Sequence, residues 1–120
     1  MTGLSRSASG LFAEDTVARW LLSRGWALVA RRWRKGPGEL DIVGLKDDIV
    51  AFVEVKRVDA FGLEALEDSV GPDKRRRIVE TAKLFLAYHR QCEGMALRFD
   101  LAAVRQDTVE AYIEGAFLET

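Results

Sequence analysis

Apolar residues recur at helical spacing between Gly10 and Ser23, where Leu11, Val17, Ala18, Leu21 and Leu22 form one stripe. Ser9 is placed to cap this helix and Gly25 to stop it. Glu14 precedes Val17, Ala18 and Leu21 at helical spacing, so an acid falls on the apolar stripe, whereas Asp15 points outward. The pattern then changes to alternation. Trp26–Trp33 reads as a strand, with Ala27, Val29 and Trp33 on one face and Trp26, Leu28 and Ala30 on the other. Gly36-Pro37-Gly38 turns the chain. Glu39–Leu45 and Ile49–Arg57 follow as strands, joined at Lys46-Asp47-Asp48 closely enough to make an antiparallel hairpin.

Val58–Asp73 reads as a loop or short helix. Asp73 is placed to cap a helix over Lys74–Gln91, with Pro72 before it, and Ile78, Ala82, Phe85 and Leu86 form the apolar face. In the strand Ala96–Val104, Leu97, Phe99 and Leu101 alternate with Arg98, Asp100 and Ala102. Gln106-Asp107 turns into a last strand, Val109–Ile113, and Gly115–Thr120 reads as a tail. The order α-β-β-β-α-β-β specifies an α/β or α+β layered structure with a sheet of about five strands. A flexible tail is expected over residues 1–9 and a single domain over 10–120.

A length of 120 residues matches one domain, and 48% hydrophobic content suffices for an ordinary core. No apolar run approaches the roughly 20 residues that span a bilayer. The first ten residues lack an apolar segment, so no secretory signal is expected there. One cysteine (Cys92) and one histidine (His89) exclude an internal disulfide and a Cys/His zinc site. A cytoplasmic location is the expectation. The net charge of −1 demands no polyanionic partner, but the charge is segregated. Arg19, Arg24, Arg31, Arg32, Arg34 and Lys35 fall in a stretch without acids, and Asp59, Glu64, Glu67, Asp68 and Asp73 fall in one without bases. Lys74, Arg75, Arg76 and Arg77 then crowd the first turn of a helix, where the dipole disfavours cations.

The hairpin carries the candidate chemistry. Strand parity sets Glu54 and Lys56 on one face with Val50 and Phe52, and sets Asp41 on a common face with Glu39 and Val43. A two-residue Asp47-Asp48 loop would put Asp41 opposite Glu54, roughly 5 Å apart at Cβ. A slip of two residues would pair Glu39 with Glu54 instead, yet Asp41 and Glu54 share a face in either register. Two such carboxylates repel unless a proton or a cation separates them. Magnesium is held by one or two carboxylates together with water and phosphate oxygens, which suits this pair. Lys56 would add a cation for a water or a phosphate. The competing explanation is a solvent-facing cross-strand cluster of Asp, Glu and Lys. Against it stand the strongly apolar opposite face of the hairpin, the acid Glu14 and base Lys74 on buried helix edges, and the flanking basic clusters.

Gly38-Glu39-Leu40-Asp41-Ile42-Val43, Phe52-Val53-Glu54-Val55-Lys56 and Phe61-Gly62 resemble the motifs of the YraN-like family of small bacterial proteins. That family is similar to archaeal Holliday-junction resolvases within the PD-(D/E)XK nuclease superfamily. Ala13-Glu14-Asp15, Gly25–Arg34, Lys74 with Arg77-Ile78, Arg98-Phe99-Asp100 and Ala116-Phe117 extend the resemblance over nearly the whole chain. The resemblance implies a restriction-endonuclease-like core in which Asp41, Glu54 and Lys56 are catalytic. Asp41, Glu54 and Glu14 would hold Mg²⁺ or Mn²⁺, and Glu39 would have a lesser role. Family members usually carry threonine and then arginine after the catalytic lysine, whereas Arg57-Val58 follow here. The implied activity is metal-dependent cleavage of DNA, branched or flapped DNA in particular, by a chain that pairs as a homodimer. Arg31, Arg32, Arg34, Lys35, Lys74, Arg75 and Arg77 would hold phosphates. Trp20, Trp26 and Trp33 are candidates for base stacking or for core and dimer packing. The alternative is a nucleic-acid- or protein-binding module that keeps the fold without turnover.

Overall fold

The computed structural model describes residues 6–58 and 70–117, with side chains from residue 12 onward. Its elements are helix α1 (Arg6–Ser23), strands β1 (Ala27–Trp33), β2 (Leu40–Lys46) and β3 (Ile49–Arg57), helix α2 (Pro72–Tyr88), a short 3₁₀ turn (Arg90–Cys92), and strands β4 (Ala96–Arg105) and β5 (Thr108–Phe117). The architecture is α/β, a mixed sheet in the order β1-β2-β3-β4-β5 between two helices. Among the described strands only β3 and β4 are parallel, and the other neighbouring pairs are antiparallel. Parallel neighbours need a long crossover, and α2 lies in it.

Strand parity divides the core. Val50 and Phe52 of β3 join Val43, Ile78, Phe85, Phe99 and Leu101 beneath α2. Ala51 and Val53 join Val17, Leu21, Ile42 and Ala102 beneath α1. Two covered faces explain why β3 is apolar at almost every position. Glu54 and Asp100 are the buried acids of the central strands. Asp100, fully buried, accepts from Arg98 Nε at 2.9 Å, Tyr112 OH at 2.6 Å and the Gly115 N–H at 3.0 Å. Those bonds tie β5 to β4 at the bulge where Gly115 takes a positive φ of 61°. The polar alternation of Arg98 and Asp100 therefore marks an internal ion pair.

Several expected boundaries move. Helix α1 starts at Arg6, so Ser9 lies inside it and is no cap; residues 1–5 of the expected tail lie outside the described residues. Leu22 is 55% exposed, because the helix stripe narrows to Val17, Ala18 and Leu21 where it meets the sheet. The strict face assignment in β1 fails at a bulge between Leu28 and Ala30, which brings Val29, Ala30 and Trp33 to the α2 side together. Leu40, paired with Trp33 at the start of β2, also packs there. Gly71, not Asp73, is the N-cap of α2, with Pro72 as its first residue, where a missing N–H loses no hydrogen bond. The helix ends at Tyr88 rather than Gln91, its end closed by the 3₁₀ turn. The expected tail from Gly115 is strand through Phe117, whose ring stacks on Phe99 at 5.1 Å. Leu97 is partly exposed near the start of β4. Most of the Val58–Asp73 segment, including Phe61-Gly62, lies outside the described residues.

The three tryptophans serve packing. Trp20 stacks on Tyr112 at 4.7 Å, Trp33 meets Phe85 edge-on at 5.3 Å, and Trp26 packs with the α1 core under the Arg98 guanidinium.

Candidate metal centre

The centre forms where β2 and β3 stop pairing. Their ladder runs from Lys46 opposite Ile49 to Ile42 opposite Val53, and Asp47 takes the positive φ of 54° that a two-residue turn requires. The next step of that register sets Asp41 against Glu54. There the Asp41 side chain replaces the backbone ladder, its Oδ2 accepting the Val55 N–H at 2.8 Å. Glu54 is 8% exposed. Burial pushes the Asp41 carboxyl up to about 8, and the charge of Glu54 adds to the shift, while the Val55 N–H opposes it. A proton shared with Glu54 would relieve the repulsion of the two carboxylates.

Helix α1 supplies Glu14 from the opposite side of the sheet. Its side chain is nearly as buried as that of Glu54, and its Oε1 has no hydrogen-bond partner among the described residues. Burial raises its carboxyl, against the pull of Arg32 and Arg31. Glu39 arrives just ahead of β2. It is set in place by the Gly36-Pro37-Gly38 turn, which lies directly against α2. The Gly38 N–H donates to Thr81 Oγ1 at 2.8 Å, and that hydroxyl donates to the Arg77 carbonyl at 2.7 Å. A Cβ on Gly36 would stand 2.6 Å from Thr81 Oγ1, and one on Gly38 would stand 3.2 Å from Arg77 Cβ. Only glycine permits this approach.

Carboxylate oxygens of Glu14, Glu39 and Asp41 consequently lie within 4.8 Å of one another. Beside them, Lys74 Nζ from the first turn of α2 stands 2.6 Å from Glu54 Oε1. Glu39, Asp41, Glu54, Lys74 and Arg77 border an open cavity of about 280 Å³.

Of the residues singled out from sequence, Asp41, Glu54, Glu14 and Lys74 come together, and Glu39 joins them as a full member. Lys56 is exposed, has no ion-pair partner among the described residues and does not border the cavity. The basic residues of β1 and its extension are counter-ions to the acids. Arg31 lies 2.6 Å from Asp15 and 4.0 Å from Glu14 Oε1, and Arg34 and Arg32 lie 2.9 and 3.7 Å from Glu39. Arg32 takes a positive φ of 53° in β1, a strained conformation for a non-glycine residue. Lys35 sits over the Tyr88 ring at 4.9 Å, and Arg75 donates to the Val70 carbonyl at 2.7 Å, both clear of the cavity. The ties of Arg31, Arg32 and Arg34 to acids on other elements, and the part of Thr81, have no periodic signature. The glycine pair around Pro37 is the only sequence signal of a close approach.

The donor set fits a small hard cation. All the available ligand atoms are carboxylate oxygens, the set preferred by Mg²⁺ and Mn²⁺. One of these oxygens is buried without a hydrogen bond among the described residues. Ionising Asp41 beside Glu54 is unfavourable until positive charge arrives. Glu14, Glu39 and Asp41 would hold such an ion, with Glu54 completing the acidic wall.

Residues 13–104 match a family described as uncharacterised protein family UPF0102. The chain is 44% identical to a UPF0102 protein of Treponema pallidum (strain Nichols) over 98 residues, 82% of this chain and 78% of the relative. A UPF0102 protein of Azorhizobium caulinodans is 42% identical over 110 residues, 92% of this chain and 82% of the relative. One from Gloeobacter violaceus is 40% identical over 122 aligned positions, 93% of this chain and 94% of the relative.

Proposed function

The chain belongs to the UPF0102, or YraN, family, and from the chemistry of its acidic centre we propose that it is a divalent-metal-dependent DNA endonuclease. The observation that carries this function is the meeting of Glu14, Glu39 and Asp41 within 4.8 Å, one of their oxygens buried without a hydrogen bond among the described residues. A purely structural cluster would hydrogen-bond that oxygen, which the Arg31 guanidinium reaches only to 4.0 Å, because a buried polar atom without a hydrogen bond costs roughly 1–3 kcal/mol.

When bound, Mg²⁺ or Mn²⁺ lowers the pKa of a coordinated water and offsets the charge that builds on a phosphate. The chain's own groups have distinct tasks. Glu14, Glu39 and Asp41 would hold the ion, with Glu54 beside them free to join once Lys74 leaves it. The Val55 N–H fixes the Asp41 carboxylate, and Arg32 and Arg34 orient Glu39. Asp41 gives up its proton when the ion binds, so binding is favoured at high pH. Lys56 faces solvent on the Glu54 parity of β3, open to an incoming phosphate. An open cavity of about 280 Å³ suits a backbone passing over the surface better than an enclosed small substrate.

DNA is the proposed partner. Branched DNA is the proposed substrate class, and a homodimer would present one such centre to each of two strands. The test is a cleavage assay on four-way junction, flap, single-stranded and duplex DNA with Mg²⁺ or Mn²⁺. Cleavage lost in Asp41→Asn and Glu54→Ala supports the proposal. Metal-independent DNA binding without cleavage would favour a binding module.

A further inference from the structure

Resting on the proposed metal centre, we infer that Lys74 is an exchangeable counter-ion. It occupies Glu54 while the centre is empty, yields that carboxylate when a divalent cation binds, and is then presented with Arg77 to a substrate phosphate. The geometry sets Lys74 apart from Lys56. Lys74 Nζ is 2.6 Å from Glu54 Oε1, and Lys74 and Arg77 both border the cavity. The two ends of the Lys74–Glu54 pair differ. The Lys74 side chain is 46% exposed, free to swing out, whereas the Glu54 side chain is 9% exposed and fixed in β3.

The position is otherwise a poor one for cations. Lys74, Arg75, Arg76 and Arg77 occupy the first turns of α2, where the dipole favours anions. Arg76 has Asp73 at 3.0 Å and Arg75 the Val70 carbonyl at 2.7 Å. Among the described residues, Lys74 has only the centre's own acid. Arg77, one turn further on, has no side-chain partner among the described residues. Two cations at one mouth suit a phosphate oxygen, and the same cation cannot serve Glu54 and a phosphate equally well. A local rule broken at a cavity mouth marks a functional arrangement.

The experiment is a Mn²⁺ titration by calorimetry of the full chain and of Lys74→Met, which keeps the apolar stem and removes the charge. Lys74→Met should bind Mn²⁺ three- to tenfold more tightly than wild type, and Lys74→Arg should stay within twofold. Arg76→Met, which removes an equal charge from the same turn, should change affinity less than twofold. In a Glu54→Gln background the gain from Lys74→Met should disappear, because the contested carboxylate is gone. Duplex DNA affinity, followed by anisotropy, should fall several-fold in Lys74→Met with Ca²⁺ present and stay within twofold in chelator. Equal Mn²⁺ affinities in Lys74→Met and wild type would overturn the exchange, as would a gain that survives Glu54→Gln or a metal-independent DNA effect. Cleavage is a separate readout. A wild type that cuts no DNA but shows the full pattern removes the nuclease function and leaves the exchange standing. One that cuts DNA with flat Mn²⁺ affinities does the reverse.

Discussion

Replacing Asp41 by asparagine should flatten the pH dependence of stability of the metal-free chain. In the wild type, burial and the neighbouring Glu54 raise the Asp41 carboxyl from 3.8 to about 8. The folded state therefore binds a proton that the unfolded chain releases. This contribution is fully present below the unfolded value, declines as pH rises above it, and is lost once pH passes the folded value. Between pH 7 and 9 the loss should be about 1–2 kcal/mol, or about 4–8 °C in Tm for a domain of this size. The asparagine amide would keep an acceptor for the Val55 N–H and have no proton to lose. Melts in chelator at pH 7, 8 and 9, at constant ionic strength, measure the difference between the two proteins. Other titrating groups are common to both and cancel. The gap should open steadily in favour of the variant as pH rises, and saturating Mn²⁺ at pH 9 should restore the wild type alone. Parallel curves would refute the assignment of a buried, protonated Asp41.

Three further outcomes follow from packing and charge. Gly36→Ala should destabilise by about 1–3 kcal/mol, because its methyl group would press on Thr81 Oγ1 2.6 Å away; urea titration checks this, and Mn²⁺ affinity should fall with it. Thr81→Val should cost about 1–3 kcal/mol in the same assay by leaving the half-buried Gly38 N–H without its acceptor. Asp100→Ala should cost about 3–5 kcal/mol, since it strips Arg98, Tyr112 OH and the Gly115 N–H of a shared buried partner. The last substitution should leave the metal affinity of the folded fraction unchanged.

Periodicity exposes most of this fold. The order of elements, the β2–β3 hairpin and the pairing of Asp41 with Glu54 follow from alternation and a two-residue turn. Glu14 is visible as an acid on a helix stripe. Features set by tertiary contact leave no such mark. A bulge in β1 breaks strict alternation, so the basic run after Leu28 cannot be assigned to faces from its pattern. Those arginines look like a phosphate track in the sequence, yet Arg31, Arg32 and Arg34 neutralise acids of α1 and of the segment ahead of β2. Glu39 gains its place from the Gly-Pro-Gly approach to Thr81, a distance no local pattern encodes. Gly115 reads as the end of a strand because glycine usually interrupts one. Here its positive φ sits in a bulge, and β5 continues to the buried Phe117.

The most direct measurement of the central claim is the rate of strand cleavage of a labelled four-way junction with Mn²⁺. Wild type, Asp41→Asn and Glu54→Ala should be prepared identically. The acidic centre predicts incised junction from the wild type, none in chelator, and a loss of at least about 100-fold in each variant. Cleavage at the same rate by the variants, or no cleavage by a wild type that binds both Mn²⁺ and DNA, would contradict it.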